Sequence, residues 1–151
     1  MLTVNMSGCM LSPLKMFKDE RGSVMHFIKS NEVSFKSFAE VYFSTVNKNV
    51  IKAWKLHTRM TSNIVVPQGE VRFVLYDPRV DSDTFGTIQS VTLSCDNYMR
   101  LTIGPGVWMG FIGGKSINLI ANCADIIHDP NEVKNLPADS DAIPYDWSER
   151  C

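Results

Sequence analysis

The chain has little of what most recognisable sites are built from. It carries three histidines and four cysteines in 151 residues. The cysteines, Cys9, Cys95, Cys123 and Cys151, form no CxxC pair. That argues against a structural zinc site or a dense disulfide framework, and suits reduced thiols in a cytoplasmic protein. No charge sign dominates: 15 Lys and Arg face 16 Asp and Glu, for a formal net charge of −1. No global basic field invites nucleic acid or an anionic membrane. The longest apolar runs, such as "INLIA" and "IVV", are far too short to cross a bilayer. The opening "MLTVNMSGCMLSPLKMF" lacks the charged-then-apolar order of a signal peptide. There is no fixed-period repeat, no low-complexity segment, and no long 3.6-residue apolar period before about residue 128.

What the chain does have is strand character. "SVMHFI", "EVYFSTV", "NVIKAWKL", "SNIVV", "EVRFVLYD", "IQSVTLS", "MRLTI", "GVWMGFI" and "SINLIAN" are rich in Val, Ile, Phe and Tyr. Turn chemistry separates them: "PQG", "DPRVDSDTFG", "CDN", "GPG" and "GG". Short strands at roughly 8–12 residue spacing predict an all-β sandwich or barrel, such as a jelly roll. Residues 1–151 read as a single domain, closed from about residue 128 by a polar, Pro-rich tail with at most one helical turn. In "NVIKAWKLHTRM", strand alternation puts Lys55, His57 and Arg59 on one face, with Trp54 and Leu56 on the other. Three basic groups do not share a dry core, so that face looks into a wet pocket or into solvent.

Two spaced patterns narrow the fold. Lys55-x-His57-x4-Ser62-x6-Gly69, with Asn49 ahead of it, follows the spacing of the first cupin motif. Gly104-x-Gly106-x2-Met109 follows the second. The four positions that hold a metal in cupins read Lys, His, Ser and Met. A first-row divalent ion wants more than one neutral imidazole, and an adjacent ammonium repels it, so the expectation is a metal-free cupin-type double-stranded β-helix without a cofactor. Five blocks in order, "FKDERGSVMHFI", "NVIKAWKLH", "GEVRFVLYDPRVDSDTFG", "LTIGPGVWMGF" and "DSDAIPYDW", resemble the dTDP-4-dehydrorhamnose 3,5-epimerases and related nucleotide-sugar epimerases. The resemblance runs from about Phe17 to Trp147.

That resemblance implies a substrate, a reaction and a dimer. The substrate would be a nucleoside-diphospho-4-keto sugar on the way to a surface polysaccharide. The reaction would be epimerisation at C3, C5 or both, by proton abstraction next to the ketone. The family uses a His–Asp dyad as base, a Lys near the oxyanion and a Tyr as acid, and pairs as homodimers through N-terminal strands. Gap-free placement puts these roles on Lys55, Ser140, Ser62 and about Ala121, so every catalytic position differs. A two-residue shift makes His57 the base, with Asp141 or Asp139 orienting it; alternatively a desolvated Lys55 is the base. Lys52 then falls at a family arginine. Arg59 and Arg21 are left for the diphosphate, Asn63 lies beside the family lysine position, and Trp108 is placed to stack on base or sugar. Tyr145 is the candidate acid. Two rival readings stay open: a catalytically degenerate member that binds a nucleotide sugar or supports a partner, and a sugar-nucleotide 3,4-ketoisomerase, in which His57 matches the second histidine of a pair. His26 and His128 read as structural, and Asp77 with Arg79 as a turn ion pair.

Overall fold

The computed structural model describes residues 3–148, so Cys151 lies outside the described residues. The strands are β1 (Cys9–Pro13), β2 (Met16–Asp19), β3 (Gly22–Met25), β4 (Glu40–Thr45), β5 (Ile51–His57), β6 (Ser62–Gln68), β7 (Glu70–Tyr76), β8 (Ile88–Ser94), β9 (Met99–Ile103), β10 (Trp108–Gly113), β11 (Leu119–Ala124) and β12 (Val133–Asn135). One 3-10 turn, Pro130–Glu132, precedes β12. Every run expected as a strand contributes one, and the tail holds the one helical turn among the described residues.

The strands form two five-stranded sheets, ordered β1-β9-β6-β11-β4 and β12-β5-β10-β7-β8, plus a separate β2–β3 hairpin. This is the jelly-roll arrangement that the strand spacing predicts. One apolar cluster fills the space between the sheets, with Val71, Phe73 and Leu75 of β7 meeting Ile64, Leu101 and Ile120. Each such side chain contributes roughly 1.5–3 kcal/mol on full burial.

A second cluster covers the outer face of the β5–β10–β7 sheet. Trp54, Leu56, Val74, Trp108 and Ile112 pack there under Ile143 and Trp147 of the tail. Strand β7 is thus buried on both faces, which explains the unbroken apolar run "FVLY". Gly110 lets the tail approach: a Cβ at Gly110 would lie 2.8 Å from Trp147 Cζ2.

Two turns show why their residues stand where they do. In "DPRVDSDTFG", the buried Asp77 carboxylate accepts from Arg79 Nε (2.7 Å), Ser82 Oγ (2.6 Å) and Thr84 Oγ1 (2.7 Å). Burial works to raise this carboxyl, but the Arg79, Ser82 and Thr84 donors outweigh it and hold it well below the usual range. The ion pair expected from "LYDPR" is present. Between β6 and β7, Gly69 has φ +86°, and a Cβ there would fall 2.2 Å from the Ile117 carbonyl oxygen. The motif glycine is therefore required both for its backbone conformation and for space. Replacing it, Gly69→Ala, should destabilise the protein by about 2 kcal/mol or more. Thermal unfolding should show the midpoint falling by about 4 °C or more.

Candidate active site

A cavity of about 380 Å³ opens between the two sheets, within the roughly 300–1,000 Å³ of small-molecule sites. One wall comes from the second sheet: Lys52, Lys55 and His57 of β5, Phe73 of β7, Met109 and Phe111 of β10, and Asn135 of β12. The facing wall comes from the first sheet: Tyr42 and Ser44 of β4, Ser62 and Ile64 of β6, Ile120 and Asn122 of β11. Apolar side chains from both sheets, Ile64, Phe73, Met109, Phe111 and Ile120, lie among these polar and basic ones.

Strand β5 carries the basic set because its alternation is broken once. Met109 pairs with Lys55 and Phe111 with Lys52, so β5 spends one residue more than β10 across the same stretch. This bulge brings Lys52 onto the face that Lys55 and His57 already share by alternation. The expected third member is absent. Strand β5 ends at His57, and the largely exposed Arg59 pairs with Asp129 at 2.7 Å.

Behind His57 stands Glu132. The imidazole Nδ1 meets Glu132 Oε1, with Glu132 almost fully buried. The other carboxylate oxygen accepts from the backbone N–H groups of Arg59 (3.0 Å) and Met60 (3.3 Å). Burial alone would raise the Glu132 carboxyl, but hydrogen bonds from His57, Arg59 and Met60 overcome it and hold it below its ordinary range. An ionised Glu132 accepting from Nδ1–H fixes the tautomer and leaves Nε2 as the ring's proton acceptor.

The tail produces this contact by strand pairing. Val133, Lys134 and Asn135 pair with His57, Leu56 and Lys55, so the residue just before β12 lands beside the imidazole. Asp129 caps the 3-10 turn, accepting from the Asn131 N–H at 2.9 Å. Arg59 therefore anchors the turn that carries Glu132, rather than standing in the cavity.

The structure redistributes the other expected site residues. Asp141, Asp139 and Tyr145 do not meet His57; with Ile51 and Trp147 they line a separate surface depression. The physical reason is the path of the tail, which continues past β12 across the outer face of the sheet, where Tyr145 stacks edge-on against Trp54 and Trp147. Trp108 also belongs to that outer layer, and its neighbour Met109 faces the cavity instead. Asn63 points to the far side of β6 and accepts from Thr102 Oγ1 at 2.7 Å. Arg21 sits on the exposed β2–β3 hairpin, paired with Asp19 at 2.6 Å. Of the nine expected residues, the cavity brings together Lys52, Lys55 and His57.

Sequence reasoning missed Glu132, Tyr42, Asn122 and Asn135. Alternation in "EVYFSTV" would have placed Tyr42 and Ser44 on one face; nothing local marks Glu132 as a partner of His57. Among the described residues no group of three or more His, Cys, Asp or Glu could hold a metal ion. None of the described cysteines, Cys9, Cys95 and Cys123, lines the cavity; burial pushes the Cys9 thiol up to about 11, against the opposing pull of the Gly104 N–H and Arg79.

Comparison with known proteins decides the family. The sequence profile of the dTDP-4-dehydrorhamnose 3,5-epimerases matches residues 3–151. The chain belongs to this family. The relatives of this epimerase-family chain include the spore coat polysaccharide biosynthesis protein SpsL of Bacillus subtilis, 28% identical over 93% of this chain and 95% of that protein. The probable low-salt glycan biosynthesis epimerase Agl13 of Haloferax volcanii is 30% identical over 89% and 90% of the two chains. Among solved structures, a dTDP sugar isomerase from Desulfovibrio desulfuricans superposes with a TM-score of 0.91 and 42% identity, covering 94% of this chain and 92% of that one. The protein is thus an isomerase-class enzyme of a family that acts on nucleotide sugars in sugar biosynthesis. No helix among the described residues is long and apolar enough to cross a membrane.

The dyad makes a specific forecast. Glu132→Gln should lower turnover by about 10²–10⁴-fold in steady-state kinetics, because the amide no longer enforces the Nδ1–H tautomer. Its folded-state depression also has a sign: the stability Glu132 contributes is present above its unfolded value of 4.5 and is lost as pH falls through the lower folded value. Denaturant titrations from about pH 6 to about pH 3 should show that loss in the native chain and a shallower decline in the Gln variant.

Proposed function

We propose that the protein epimerises a nucleoside-diphospho-4-keto sugar at C3, C5 or both, for a surface polysaccharide. The single observation that carries this reading is the His57–Glu132 dyad on the wall of a cavity that Lys52 and Lys55 also line. His57 Nε2 removes the proton next to the ketone. The charge that develops on the ketone oxygen is met by an ammonium, and Lys55, one alternation from His57, is the group for it. The low-dielectric floor of Phe73, Phe111 and Ile64 strengthens that interaction. A built dyad favours catalysis over a degenerate binding role. The same supports suit one domain acting as a homodimer, since Phe17 and Val24 on the β2–β3 hairpin and Phe43 on edge strand β4 are left exposed. Lys55 as the base is the second reading, supported by its place in the cavity.

Incubation in D2O with dTDP-, GDP- and CDP-linked 4-keto sugars should place deuterium at C3 or C5 of at least one, followed by NMR. No uptake with any of them sinks the reading. His57→Asn should abolish exchange by about 10²-fold or more, while Lys55→Ala slows it and leaves it measurable. If His57→Asn exchanges at the native rate, Lys55 takes the base role. Light scattering should give twice the chain mass, and Phe17→Asp with Phe43→Asp should shift it toward one.

A further inference from the structure

Inverting a carbon centre requires a proton to arrive on the face opposite to the one it left. Lys55 and His57 share the cavity wall made by β5, and Lys52, which also stems from β5, carries its ammonium to the Thr45 carbonyl on β4 at 2.8 Å. On the wall made by β4, β6 and β11, Tyr42 is the one titratable side chain among the described lining residues. We propose that Tyr42, positioned by Asn122, is the proton donor of the reaction, an assignment that rests on the epimerase reading above.

The local geometry suits the role. Tyr42 and Asn122 are direct cross-strand partners on β4 and β11. Asn122 Nδ2 donates to Tyr42 Oη at 2.8 Å. The phenol oxygen thus accepts a bond, its own O–H remains available to the cavity, and the phenolate left after donation keeps an N–H donor. Asn122 is 4% exposed, and its Oδ1 is buried without a hydrogen-bond partner. The position that the family resemblance assigns to a tyrosine, about Ala121, carries no hydroxyl. The hydroxyl reaches the cavity from the neighbouring strand instead.

The step balances without a redox partner. His57 Nε2 takes the proton on the carbon next to the ketone; the C–H pair becomes the enolate double bond and the carbonyl π pair moves to oxygen. In the return, the oxygen pair rebuilds C=O, and the former double-bond pair takes the proton from Tyr42 Oη on the opposite face. Solvent then reprotonates the phenolate and accepts the proton from the imidazolium.

The test separates this assignment from the epimerase reading. With the 4-keto sugar that the native chain labels in D2O, Tyr42→Phe should still exchange the carbon-bound hydrogen with retention, because His57 returns a deuteron to the face it deprotonated. Its inverted product should fall by about 10²-fold or more. Asn122→Ala should lower the ratio of inversion to exchange in the same direction, whereas a merely structural loss lowers both together. Native inversion rates in Tyr42→Phe overturn the assignment and leave the His57 base standing. Equal loss of exchange and inversion in Tyr42→Phe also overturns it. Absence of exchange in the native chain removes the epimerase reading and this donor with it.

Discussion

Three residues of backbone pairing decide what this cavity can do. Val133 to Asn135 add to the edge of β5 opposite His57 to Lys55. The pairing satisfies an edge that would otherwise present unpaired N–H and C=O groups. It also carries Glu132 to the imidazole and Asn135 to the cavity wall. Without it, His57 is a histidine at a strand end beside two lysines; with it, the ring has a fixed tautomer and a counter-charge. The Glu132 carboxylate tolerates burial because three donors converge on it, from the ring and from the two amides that follow the strand.

The two sheets divide the chemistry between them. The β5 wall collects Lys55 and the His57–Glu132 pair, and a bulge adds Lys52 to the face of Lys55. The opposite wall is neutral, holding a phenol, an amide and hydroxyls among Ile64 and Ile120. Such a cavity favours an anion developing near β5 and keeps the competing face free of strong bases. A ketone whose oxygen turns into an oxyanion matches that division.

Some of this was legible in order of residue types alone. The strand runs and their turn separators map onto β3 through β11, because half-buried strands need alternation and the turns need Gly, Pro and Asp. Gly69 was visible as a motif position, and Asp77–Arg79 as a turn pair, since both are local. Trp54 and Leu56 packing away from Lys55 and His57 is likewise a period-two property. By contrast, Asp141, Tyr145 and Trp108 looked well placed by their distance along a related pattern. Asp141 and Tyr145 ended on the outer face because the tail continues past β12 over the sheet's far side, and Trp108 because alternation along β10 turns Met109 to the cavity instead. Asn63 was assigned beside a cavity residue, and alternation turned it to the other side of β6.

The sequence by itself determined an all-β jelly roll, its family likeness and the basic character of β5, since periodicity, turn chemistry and ordered motifs are all properties of short range along the chain. Only the tertiary structure decided which carboxylate serves His57 and which wall Tyr42 stands on. Glu132 lies 75 positions from His57 and Asn122 lies 80 from Tyr42. Contacts at such separations arise from strand pairing and sheet closure, which depend on the whole set of strands burying their apolar faces together and leave no local pattern to read.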